Sequence, residues 1–153
     1  MRTPLAILII LAVLAANPAE AQSESLAHLY ELGGAVSDTN GDGVADRLNA
    51  RIVLSSSPSA TDVAAAAEIA ARLGFETMAL NLPMPTDAVM EIAVGDEALS
   101  RLGVLGMADL KAGTGAVELH TAGDSVIVGV RGGDEMGLSA ATMWLASRAP
   151  HIF

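Results

Sequence analysis

Between positions 50 and 82 the chain changes character in an order that restricts most of what it can become. Residues 50–54 are a short aliphatic run with strand character, and Ser55-Ser56-Ser57-Pro58-Ser59 is a polar turn. Residues 62–73 are almost entirely alanine and aliphatic, Gly74 stands as a stop, and residues 76–82 form a second extended run. Two strands separated by a helix of this length are expected to lie parallel, with a right-handed crossover. Ser59 or Thr61 is placed to cap the helix, with Asp62 near its positive end and Arg72 near its negative end.

After Pro83 and Pro85, residues 89–94 read as a third strand, residues 96–102 as a short helix, and Gly103-Val104-Leu105-Gly106 as a connector. Residues 116–121 and 125–130 read as a hairpin joined by Ala122-Gly123-Asp124. A final helix is expected over 135–147, with Met136, Ala140, Met143 and Trp144 as its apolar face and Pro150 beyond its end. The fold class expected is α/β: a two-layer sandwich, with a mixed sheet of about five strands and two main helices on one face.

Upstream, Met1-Arg2, the apolar run 5–16, the break Asn17-Pro18 and the small-x-small Ala19-Glu20-Ala21 have the form of a secretory signal peptide over 1–21. The apolar run is too short for a membrane span. An exported chain would then begin near Gln22, with no membrane partner after cleavage. Residues 22–49 form an N-terminal segment, in which 23–32 suit a short helix presenting Leu26, Leu29 and Tyr30 before Gly33-Gly34. Residues 50–153 form the α/β domain. Formal net charge is −10, and the leader's one Arg and one Glu cancel. So acidic a chain is a poor partner for nucleic acid or an anionic membrane. It has no cysteine, so disulfides cannot staple it in an oxidising compartment.

Residues 38–46, Asp-Thr-Asn-Gly-Asp-Gly-Val-Ala-Asp, offer another staple. Oxygen-bearing side chains recur at Asp38, Asn40 and Asp42, Gly43 allows a sharp turn, Val44 can give its carbonyl, and Asp46 closes the series. Hard cations such as calcium take six to eight oxygen ligands from loops of this kind. The stretch resembles the D-x-N-x-D-G-x-x-D calcium loops of dockerins and thrombospondin type 3 repeats. It departs from an EF-hand at the twelfth position, where Asn49 replaces the bidentate Glu and a strand replaces the second helix. The resemblance implies calcium as cofactor, with Asp38, Asn40, Asp42, Val44 and Asp46 as ligands. Affinity is expected at the weak, extracellular end, about 0.1–1 mM. The same residues also suit a metal-free polar turn.

Other candidate chemistry is weaker. Gly132-Gly133-Asp134-Glu135-Met136-Gly137 stands at a strand-to-helix junction but lacks the G-x-G-x-x-G spacing, and its acids would repel a phosphate. It reads as a tight turn with Asp134 capping the helix. Ser139 falls inside the expected helix, which a nucleophile elbow does not allow. His28, His120 and His151 share no ligand spacing. Paired carboxylates at Asp124 and Asp134 would support glycoside hydrolysis only if they converged at about 5–9.5 Å.

The strand Met90-Glu91-Ile92-Ala93-Val94-Gly95, the run Gly113-Thr114-Gly115-Ala116-Val117-Glu118-Leu119, Val126-Ile127-Val128 and the stretch 132–141 together carry a second resemblance. They are similar to the noncatalytic α/β domain that precedes the catalytic barrel of bacterial hexosaminidases and alpha-glucuronidases. That resemblance implies an accessory domain of a carbohydrate-active enzyme, partnered by a catalytic domain following Phe153 or by another subunit. Two alternatives stand beside it. One is a small exported hydrolase working through carboxylates. The other is a protein-interaction module with an apolar surface around Trp144, Ile152 and Phe153.

Overall fold

Strand alternation decides how the sheet is sided. A computed structural model describes residues 26–77, 90–122 and 125–148 of the chain. The signal-peptide stretch, the run 78–82, Asp124, His151, Ile152 and Phe153 lie outside the described residues. Strands β3 (Ala50–Val53), β4 (Met90–Val94), β5 (Gly115–Ala122) and β6 (Ser125–Gly132) form one sheet in the order β3-β4-β6-β5. A small antiparallel pair, β1 (Val36–Ser37) with β2 (Arg47–Leu48), makes a second. The helices are α1 (Ala60–Phe75), α2 (Asp96–Arg101) and α3 (Glu135–Met143), the last running on into a π-turn, Trp144–Arg148. The α/β class and mixed sheet are as the sequence indicates, with six described strands in place of five.

β3 has a parallel neighbour among the described residues. β3 pairs with β4, Ala50 opposite Met90 and Val53 opposite Ala93. The chain passes from β3 through α1 before it reaches β4, and residues 78–82 of the run expected as the second strand lie outside the described residues. Glu76 instead caps α1, its N–H donating to the Arg72 carbonyl at 3.1 Å, and Gly74 lies within the last turn. β4 also pairs parallel with β6, and β6 antiparallel with β5, from Gly115–Gly132 to Ala122–Ser125. β5 is thus one residue longer at each end than its hydrophobic pattern indicates, and β6 two residues longer at its C-terminal end.

One sheet face carries Ala50, Met90, Ile92, Val94, Val128 and Val130, and packs on Ala65, Ile69, Leu73, Leu138, Ala141 and Leu145 of α1, α3 and the π-turn. The two main helices do share one face. Ser59 closes a capping box at the start of α1: Asp62 N–H donates to its hydroxyl at 3.1 Å, and Ser59 N–H donates to the Asp62 carboxylate at 2.8 Å. The opposite face is not left to solvent. Ala93 and Ile127 meet Ala98 and Leu99 of α2, flanked by Leu102, Val104 and Met107. A short helix and a loop therefore add a third, partial layer.

Helix α3 turns its faces the other way from the sequence expectation. Gly137, Leu138, Ala141 and Thr142 are buried, while Met136, Met143 and Trp144 are exposed. Close backbone approach explains this: a Cβ on Gly137 would sit 2.1 Å from the Thr114 carbonyl, and one on Gly115 2.1 Å from the Gly137 carbonyl. Glycine is what lets α3 lie directly on β5, and that contact sets its rotation.

Among the described residues of the N-terminal segment, Leu26–His28 forms a 3-10 turn where a helix over 23–32 is expected. Beyond it the backbone folds back on itself, with Ala35 N–H donating to the Leu29 carbonyl at 2.7 Å. Leu29, Tyr30 and Ala35 join the main core. The Tyr30 hydroxyl donates to the Leu145 carbonyl at 3.0 Å, and the Arg72 guanidinium lies 4.2 Å from the Tyr30 ring centroid. Among the described residues no helix is long and apolar enough to cross a membrane.

Candidate calcium loop and polar clusters

Residues 38–46 connect β1 to β2, so the pairing of Val36 with Leu48 and Ser37 with Arg47 holds the two ends of the loop together. Within it, Asp, Asn and Gly act as their chemistry dictates: a short side chain returns to the backbone two residues on. Asn40 N–H donates to Asp38 Oδ1 at 3.1 Å, Asp42 N–H to Asn40 Oδ1 at 2.9 Å, and Val44 N–H to Asp42 Oδ1 at 2.9 Å. Asp38 also receives Gly41 N–H at 2.7 Å and, on its second oxygen, Gly43 N–H at 2.7 Å. Gly41 and Gly43 adopt φ of +80° and +86°, conformations in which a Cβ is strained. The Gly43 donor foremost holds the Asp38 carboxyl below the usual carboxylate range, with the Gly41 and Asn40 donors adding to it. Asp46 closes the loop by accepting from Thr39 twice, from N–H at 2.9 Å and from the hydroxyl at 2.8 Å.

The five sequence-indicated residues thus lie on one turn of chain, wound by three successive Asx turns. The donor set fits a hard cation in chemistry: three carboxylates, an amide oxygen and a carbonyl. The carboxylates are engaged with the loop's own N–H groups. Among the described residues no three His, Cys, Asp or Glu side chains are gathered on a common point. Asn49, in place of a closing Glu, accepts from the Ser37 hydroxyl at 3.4 Å, and its N–H donates to the Ala35 carbonyl at 2.9 Å.

Asp134 is the cap of α3. It accepts Gly137 N–H at 2.8 Å and Gly113 N–H at 2.9 Å, and these donors hold its carboxyl pKa below the ordinary carboxylate range. Both its oxygens serve backbone, and its supposed partner Asp124 is outside the described residues. Ser139 is an exposed helical residue, as its position implies. His28 pairs with Glu31 one turn away at 2.7 Å.

A polar cluster that residue spacing did not single out lies on the α2 side of the sheet. Arg131 is buried, and its Nε donates to Asp96 at 2.6 Å, its Nη1 to Glu118 at 3.2 Å and its Nη2 to the Ala108 carbonyl at 2.9 Å. His120 lies over Gly129, where any Cβ would meet Leu99 at 3.0 Å and the His120 ring at 3.5 Å. Its Nε2 is buried and stands 3.4 Å from Glu118 Oε2 without hydrogen-bond geometry. The signal for this cluster was the alternation in β5, which puts Glu118 and His120 on one face. What was missing is that α2 delivers Asp96 to the same face. Arg51 with Glu91, paired side by side across β3 and β4, repeats the arrangement further along.

No protein-family model matches the chain, and no curated protein matches it significantly.

Proposed function

We propose that residues 38–46 bind one calcium ion and that this chain is a noncatalytic, calcium-braced α/β domain of an exported protein. Asp38, Asn40, Asp42 and Asp46 supply side-chain oxygens and Val44 its carbonyl. The observation that carries the reading is the run of three Asx turns through Asp38, Asn40 and Asp42 into Gly43. It winds alternate oxygen-bearing residues round one short loop with its ends pinned by β1 and β2. The ion supplies positive charge among three carboxylates that otherwise repel one another. Because β1 continues into Ala35, Tyr30 and Leu29, a cation holding the loop would brace a segment that is part of the core.

The role beside a carbohydrate-active enzyme, with a catalytic domain or subunit as partner, rests on the resemblance of residues 50–150. The engagement of both Asp134 oxygens as a helix cap favours this noncatalytic reading over a carboxylate hydrolase. Titration calorimetry of the purified protein is the test. Binding of one calcium per chain at about 0.1–1 mM, lost in Asp42→Ala, is expected. No heat, or equal binding by the variant, would overturn it. An apolar surface around Trp144 motivates the interaction-module reading, since Trp144, Met143 and Met136 are exposed on one helix.

A further inference from the structure

β5 is an edge. Among the described residues it pairs only with β6, along its whole length from Gly115 to Ala122. Gly133 N–H donates to the Thr114 carbonyl at 2.9 Å, which fixes the phase of the ladder. Even-numbered residues exchange their hydrogen bonds with β6, so Gly115, Val117, Leu119 and Thr121 direct their N–H and C=O groups outward. An eight-residue edge of this kind is a template for another strand, and soluble proteins blunt or cover such edges. Beside it runs an apolar strip. A groove of about 330 Å³ is lined by Gly115, Val117, Ala140, Ala141 and Trp144, and Met136 and Met143 stand exposed further along α3.

We infer that this edge pairs with β5 of a second copy of the chain, antiparallel about a two-fold axis at Leu119. The pairing of unlike polar side chains, carboxylate with imidazole, selects both the partner and the register. With Leu119 opposite Leu119 of the copy, Glu118 falls opposite the copy's His120, and His120 opposite its Glu118. On the helical side Val117 falls opposite Thr121. Odd-numbered residues make the hydrogen-bonded pairs here, so Glu118 and His120 occupy the non-bonded pairs, in which side chains approach most closely. Each carboxylate then has an imidazole across the interface as well as the one along its own strand at 3.4 Å. Moving the axis to residue 118 puts two glutamates opposite each other, and moving it to residue 120 puts two histidines there. Both lose the complementarity. The same axis brings the two α3 helices alongside on one face, so that the strip of Met136, Ala140 and Trp144 is covered by its own copy. An isologous contact of this form closes as a dimer and uses up the β5 edge of both chains.

Sedimentation of the purified protein at micromolar concentration should give twice the chain mass. Glu118→His places histidine opposite histidine, and His120→Glu places glutamate opposite glutamate. Each variant alone should dimerise about tenfold more weakly or worse. An equimolar mixture of the two should recover a dimer containing one chain of each, because every 118–120 pair is again His with Glu. That recovery separates a lost contact from a damaged fold, as does Met136→Glu, which charges an exposed helical position and should also yield monomer. A monomeric parent overturns the inference. So do variants that dimerise as well as the parent, or a mixture that remains monomeric.

Discussion

At the scale of single residues, each carboxylate in this chain is best understood by asking which N–H groups it serves. Asp38 and Asp134 each gather backbone donors, and each has its carboxyl held below the ordinary range for that reason. A group whose folded value is depressed contributes stability that is full above its unfolded pKa, about 3.9, and disappears as pH falls through the folded value. Acid unfolding should therefore begin below about pH 4, and Asp134→Asn should flatten that limb of the stability–pH curve measured by circular dichroism. Tyr30 makes the opposite prediction at the alkaline end. Burial above all pushes its hydroxyl up to about 12. Its neutral form is the one folding favours, so its contribution is complete below pH 10 and is lost as pH rises from there towards 12. The amount is about 2–3 kcal/mol, and Tyr30→Phe should abolish this step in alkaline unfolding while costing about 1 kcal/mol at neutral pH through the lost bond to Leu145.

Among elements, α1 and the hairpin were largely legible and α3 only in part. The Ser59–Asp62 box and the alanine run define α1 locally, so sequence places it within two residues at each end. Ser59→Ala should cost about 1 kcal/mol, and Ile69→Ala, which empties a fully buried site between helix and sheet, about 2–5 kcal/mol in denaturant melts. The rotation of α3 was not legible, because Met136, Ala140, Met143 and Trp144 make a stripe as apolar as the one that is buried. What decides between the stripes is that Gly137 and Gly115 let the two backbones touch, a tertiary fact with no periodicity of its own. The first residue of the expected run 76–82 was misplaced for a similar reason. Residues 76–82 have strand composition, but Arg72, which bonds Glu76 at 2.6 Å and the Ala146 carbonyl at 3.0 Å, carries the helix end on to Glu76. The loop 38–46 was the most readable candidate site, since Asx turns and positive-φ glycines are written residue by residue. The Arg131 cluster was not readable, as it needs β5, β6 and α2 together.

For the whole molecule, a cysteine-free chain of net charge −10 packs Leu29, Tyr30 and Ala35 of its N-terminal segment into the core, beside a small hairpin that carries one polar loop. If that loop takes calcium, binding the folded state alone should raise stability by RT ln(1 + [Ca²⁺]/Kd). That is about 1.4–2.7 kcal/mol at roughly 10 mM calcium for a Kd of 0.1–1 mM. Magnesium, which demands a smaller and more regular oxygen shell, should give much less at equal concentration. Thermal unfolding of the protein in chelator and in calcium, alongside Asp42→Ala, tests this most directly. A calcium-dependent rise in Tm that the variant lacks is the expected result. A Tm indifferent to calcium, or one that rises equally in the variant, would contradict it.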